Sequence, residues 1–182
     1  MRTFTNRSFL LSVAIVAGAG CSFSAATQSP DDAGEELIEG ELAELIELEL
    51  SDAACDAPAE DEPGQMFDCT ATDPDGATVT FDGVIEEDDE IFVSASNVVV
   101  ADEMPLVEQE AAAVLGEEVG TEIDPADVVC PAETTVLDGG RLTCEITDAT
   151  TGERYSLIAT FGGFVLREGY AERSYEIGGG VE

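Results

Sequence analysis

Five cysteines and two groups of carboxylates are the residues whose type and spacing could do chemistry in this 182-residue chain. Cys55 and Cys69 enclose a loop of the same length as Cys130 and Cys144. A glycine falls at the same place in each loop (Gly64, Gly139), and a large apolar residue stands two before each second cysteine (Phe67, Leu142). Spacing, glycine and apolar position agree together, which marks an internal duplication. Four cysteines allow three pairings, and the repeat favours Cys55 with Cys69 and Cys130 with Cys144 as structural disulfides. Each closure is worth roughly 3 kcal/mol in the chain-entropy view, a large share of a small domain's stability. Redox cycling and zinc binding are the competing chemistries. Neither pair is a Cys-x-x-Cys, and the chain has no histidine to complete a zinc site.

The carboxylates are the second group. Asp73 and Asp75 lie in an Asp-Pro-Asp-Gly turn, and Glu86, Glu87, Asp88, Asp89 and Glu90 run together between two expected strands. Hard oxygen ligands on loops hold Ca²⁺, so these residues are candidate cation ligands. The alternative is a plain turn and a solvated hairpin loop, since neither stretch has the alternate-position ligands and terminal glutamate of a calcium loop. Divalent ions at least screen so acidic a surface weakly.

Missing residue types narrow the chemistry further. Without histidine there is no Ser-His or Cys-His nucleophile, and without lysine no Schiff base or Ser-Lys dyad. No Walker or dinucleotide glycine pattern occurs, and Gly178-Gly179-Gly180 reads as part of a frayed tail over 178–182. A carboxylate-dependent hydrolase survives on composition alone. It needs a cleft that raises one carboxyl's pKa, and two small domains without tryptophan offer little to hold a sugar. The expectation is a protein that is not an enzyme and carries no cofactor.

The elements that must position the cysteines read in the same order twice. Glu35 to Leu50 places Ile38, Leu42, Leu45 and Ile46 at helical spacing, although Glu47 to Leu50 alternates like a strand; Pro105 to Leu115 places Val107, Ala111, Val114 and Leu115 on one face, with Gly116 as a stop. Strands are expected from each second cysteine (69–72 and 144–147), then at 77–85 and 153–161, then at 91–100 and 164–170, separated by Asp, Pro and Gly turns. The fold class is therefore α+β: two tandem small domains, over 35–100 and 101–177, each a helix packed on a short antiparallel sheet with one internal disulfide.

The first twenty residues read as a leader. Arg2 and Arg7 precede an apolar run from Phe9 to Ala17, and Gly18-Ala19-Gly20 closes it with small residues before Cys21. The apolar run is about half the roughly 20 residues a membrane-spanning helix needs. Small residues followed directly by Cys21 resemble the lipobox of bacterial lipoproteins, although Gly18 stands where a branched aliphatic is usual. That resemblance implies acylation of Cys21 and anchoring at the outer face of the cell membrane. The alternative is ordinary cleavage near 17–20, secretion, and Cys21 as a free thiol. Residues 21–34, small and polar without periodicity, read as a flexible linker.

Residues 103–170, through Val129-Cys130-Pro131, Gly139 and Cys144, resemble the domain of unknown function 4333, a family of secreted and lipid-anchored actinobacterial proteins. Residues 35–100 resemble it more loosely, with Asp56 in the place of the proline. The resemblance implies an α+β fold and envelope placement, and it implies no catalytic residues.

The formal net charge of −35, from 41 acids against six arginines, repels nucleic acid and anionic lipid headgroups. Compaction then relies on apolar burial, cross-links and screening ions. Tyr155, Phe161, Phe164, Tyr170 and Tyr175 gather near the last strands with Arg141, Arg154 and Arg167. Most are expected in the core, and any left exposed would mark a partner surface. The functional expectation is a non-catalytic envelope lipoprotein acting as an interaction or structural module. Its partners are the membrane, through the lipid, and an envelope protein or ligand that the sequence does not name.

Overall fold

The structure, a computed structural model, describes residues 20–24, 28–87 and 90–181. The first repeat runs β1 (Gly20–Ser24), α1 (Pro30–Leu37), a turn of π-helix (Ile38–Leu42), α2 (Ala43–Leu45), β2 (Ser51–Cys55), β3 (Met66–Thr72), β4 (Thr78–Ile85) and β5 (Glu90–Ala95). A short β6 (Val98–Val99) leads into the second repeat. That repeat comprises α3 (Met104–Val119), β7 (Val128–Val129), β8 (Thr135–Val136), β9 (Arg141–Thr147), β10 (Arg154–Phe161), β11 (Phe164–Val165), β12 (Gly169–Tyr170) and β13 (Arg173–Gly180).

Two antiparallel sheets carry the repeats, in the orders β1-β5-β4-β3-β2 and β13-β10-β9-β7. Alternation along the strands sets their faces. Phe67, Cys69 and Ala71 of β3 are buried while Met66, Asp68 and Thr70 face out, and Leu142, Cys144 and Ile146 repeat the pattern in β9. A helix covers each inner face. Leu37, Ile38 and Leu42 join Phe67, Val79, Phe81, Ile91 and Val93 in one core. Val107, Ala111 and Leu115 join Leu142, Ile146, Leu157 and Phe161 in another. The two tandem α+β domains thus have separate cores, each with its own disulfide.

Position by position, β2 corresponds to β7, β3 to β9, β4 to β10 and β5 to β13. The shared glycine of the cysteine loops has a physical reason: Gly64 has φ +90° and Gly139 φ +58°, the left-handed region that side chains disfavour.

Several sequence expectations are corrected. The linker over 21–34 is not free of structure: Cys21 to Ser24 pair with β5, and the helix starts at Pro30 rather than Glu35 because proline suits a first turn. The second helix passes Gly116 and ends at Gly120, whose left-handed backbone (φ +73°) closes it. In the second repeat the third strand of the sheet is β13, not 164–170, which instead folds into the β11–β12 hairpin. Gly178 to Gly180 therefore belong to a strand rather than to a frayed tail. The expected leader up to Ala19 lies outside the described residues.

The repeats also touch. Val98 pairs with Val136 and Val99 with Thr135, joining β6 to β8 within the second cysteine loop. The Leu137 N–H donates to the Asn97 carbonyl at 2.7 Å, and the Tyr170 hydroxyl donates to the Val98 carbonyl at 3.1 Å.

Candidate functional site

The cysteines are where the duplication puts them. Cys55 and Cys69 lie directly opposite each other across β2 and β3 and form one disulfide, and Cys130 and Cys144 form the other. A helix glutamate completes each. The Cys55 N–H donates to Glu35 Oε1 at 3.1 Å, and the Cys130 N–H donates to Glu108 Oε1 at 2.9 Å. In both repeats the carboxylate ties the helix to the start of the disulfide loop and satisfies a strand-end donor. Spacing alone could not single out these two among so many helix glutamates.

Cys21 is a free, half-buried thiol in β1, opposite Val93, and it packs against the first core. Burial, and then the Glu41 carboxylate, push its thiol up. It is therefore a poor thiolate nucleophile.

The candidate cation ligands are dispersed and partly committed. Asp73 Oδ1 accepts the N–H groups of Asp75 (3.0 Å) and Ala77 (2.7 Å), which organises the turn, while Asp75 is exposed. Glu86 forms an ion pair with Arg167, whose guanidinium also stacks over the Phe92 ring 4.2 Å from its centroid. Glu87 and Glu90 are exposed, and Asp88 and Asp89 lie outside the described residues. Among the described residues no three acids or cysteines converge as a metal site.

The aromatic residues are mostly committed too. Phe161, Tyr170 and Tyr175 are buried, with the Phe161 and Tyr170 rings edge to face at 4.9 Å. Phe164 adds a second edge contact to Tyr170 at 5.5 Å. Of the three arginines expected beside them, Arg154 pairs with Glu145 at 3.0 Å on the surface, Arg167 reaches the first repeat and Arg141 is exposed.

Sequence reasoning missed a polar cluster on the inner face of β13. The Arg173 guanidinium pairs with Glu110 Oε2 at 2.7 Å and lies over the Phe161 ring. Its Nε and the neighbouring Tyr175 hydroxyl are buried without a hydrogen-bond partner. Burial, and then the Glu110 carboxylate, push the Tyr175 phenol up; burial pushes the Glu103 carboxyl up against the opposing pull of Arg173.

Two open hollows lie on the helical side. One, of about 520 Å³, is lined by Glu39, Glu44, Glu47, Leu48 and their neighbours. The other, of about 310 Å³, lies between the end of α3 and Thr121 to Ile123. No helix among the described residues is long and apolar enough to cross a membrane. The chain matches no protein-family model, no curated protein and no solved structure.

Proposed function

We propose that the protein is an exported, non-catalytic interaction module of the cell envelope, held at the outer face of the membrane by a lipid on Cys21. The observation that carries the reading is the pair of disulfide-closed domains, which suits an oxidising compartment outside the cytoplasm. The Arg2, Arg7 and Phe9 to Ala17 leader adds the export signal, and Gly18 to Cys21 adds the lipobox-like junction. The resemblance of the cysteine loops to the domain of unknown function 4333 points to the same compartment. The absence of histidine and lysine from the sequence removes most nucleophile-activating machinery, which favours binding over catalysis.

Anchoring also acts on the fold. Cleavage before Cys21 leaves Cys21 to Ser24 of β1 at the new N-terminus. An acylated Sγ is too large to stay where the thiol packs against the first core, so lipid attachment and the β1 pairing compete.

The test is fractionation with cross-linking. The intact protein is expected in the membrane fraction, and Cys21→Ser is expected to release it. Cross-linking in the native envelope, followed by pull-down, is expected to trap a specific protein partner. An unchanged distribution of the serine variant removes the anchor, and an absence of specific partners removes the interaction reading.

A further inference from the structure

The two sheets are alike strand for strand except at one edge. In the first, β1 pairs with β5; in the second, β13 is the edge, and among the described residues no strand pairs with its outer side. The backbone phase of the two edges is the same. Opposed residues of an antiparallel pair alternate between exchanging N–H···O bonds and turning these groups away. The Glu86 N–H donates to the Glu90 carbonyl at 2.7 Å, so Ile91, Val93 and Ala95 turn their N–H and C=O groups towards β1, where Phe23 and Cys21 meet Ile91 and Val93. In the second sheet the Gly162 N–H donates to the Glu172 carbonyl at 2.7 Å. Arg173, Tyr175 and Ile177 therefore turn theirs to the open side. These are the counterparts of the β1-facing residues: Ile85 opposes Ile91 where Phe161 opposes Arg173, and Phe81 opposes Ala95 where Leu157 opposes Ile177.

We propose that the open edge of β13 binds an extended, cationic segment of a partner protein as an added antiparallel strand. This rests on the interaction reading and names the partner's chemistry. Three features fit the occupant. The edge is most accessible at its C-terminal half, where Ile177, Gly179 and Gly180 are exposed and the glycines have no side chains to obstruct a neighbour, whereas Tyr175 is buried and Arg173 partly so. The inner face of the vacant lane, where the first sheet places Cys21 beside Val93, lies next to the unpartnered Arg173 Nε and Tyr175 hydroxyl. A small side chain such as Ser or Thr is what the first sheet's Cys21 position accommodates. The outer face carries Glu172 and Glu176, and the whole chain has a net charge of −35, so basic side chains on the guest's outward face are attracted. A second copy of the chain brings the same charge and is repelled.

The test uses the purified full-length protein and a short peptide alternating Thr with Lys. Binding is followed by fluorescence anisotropy, and amide exchange by NMR. The peptide is expected to bind and to slow exchange at Tyr175 and Ile177. Methylating alternate peptide nitrogens, which removes strand hydrogen bonds and keeps the charge, is expected to weaken binding by about tenfold or more. Ile177→Pro deletes an edge donor without touching the β10 ladder, and it is expected to do the same while the β9 and β10 amides keep their protection. Equal affinity for the methylated peptide, protection elsewhere, no binding, or a dimer joined at β13 overturns the proposal. A specific envelope partner cross-linked away from β13 also overturns it while leaving the interaction reading in place.

Discussion

The Glu108 carboxylate accepts the backbone N–H of Cys130 at 2.9 Å, and Glu35 does the same for Cys55 at 3.1 Å. The helix of each repeat is thus fixed to its disulfide loop by one charged acceptor in a partly buried place, where such a bond counts for more than on the surface. Glu108→Ala is expected to cost about 1 to 2 kcal/mol and Glu108→Gln, which keeps an acceptor oxygen, less. Urea unfolding of both variants checks this; equal stabilities for alanine and wild type would remove the glutamate from the architecture.

A pH effect follows from Glu103. Burial holds its carboxyl above the ordinary glutamate range although Arg173 pulls the other way. A folded pKa above the unfolded one means that the native state binds more protons in that window. The contribution of protonated Glu103 is therefore fully present below the unfolded value and is lost as pH rises through the folded one. Glu103→Gln is expected to raise stability at neutral pH and to flatten its dependence on pH just above the ordinary carboxylate range. Thermal melts across mildly acidic to neutral pH read both effects.

The sequence displayed the scaffold because repeated constraints leave repeated residues. The disulfide partners, the glycines whose backbone is left-handed and the inward apolar residues of β3 and β9 all stand at matching places. What stayed hidden depends on contacts between distant residues. Pairing of Cys21 to Ser24 with β5 is non-local, and a small polar stretch looks the same in a linker as on a sheet edge. The step from Phe164–Tyr170 to Arg173–Gly180 as the third strand depended on which of two nearby segments reached β10, and the glycine run gave no β signal. Arg173 and Glu110 are visible as charges, and only the fold, which brings α3 over β13, pairs them.

Tyr170 couples the two repeats. Its hydroxyl donates to the carbonyls of Val98 (3.1 Å) and Ser96 (3.3 Å), while its ring packs on Phe161 and Phe164. Tyr170→Phe keeps the ring and loses the bridge. With a separate core in each repeat, weaker coupling is expected to split unfolding into two transitions, at a cost of about 1 to 2 kcal/mol. A single transition at the wild-type midpoint would show that the β6–β8 pairing and the Arg167 contacts to Glu86 and Phe92 suffice.

Phe67 and Gly83 face each other across β3 and β4, and the space above the glycine is filled by the aromatic ring: a Cβ there would lie 2.4 Å from the ring's Cζ. The corresponding pair in the second repeat is Leu142 opposite Ala159, with a side chain smaller than Phe67 facing one larger than Gly83. The two repeats solve the same volume problem in two ways, as close packing requires. Gly83→Ala alone is expected to destabilise the first repeat by about 1 to 3 kcal/mol, because the buried ring must leave its rotamer or push β3 and β4 apart. Phe67→Leu alone removes buried aromatic surface and is expected to cost about as much. Combining them recreates the pair found in the second repeat, so the double variant is expected to be more stable than the sum of the single losses allows. A double-mutant cycle by urea unfolding measures that coupling. Simple additivity would mean that the ring has room to move, and that Gly83 is set by something other than Phe67.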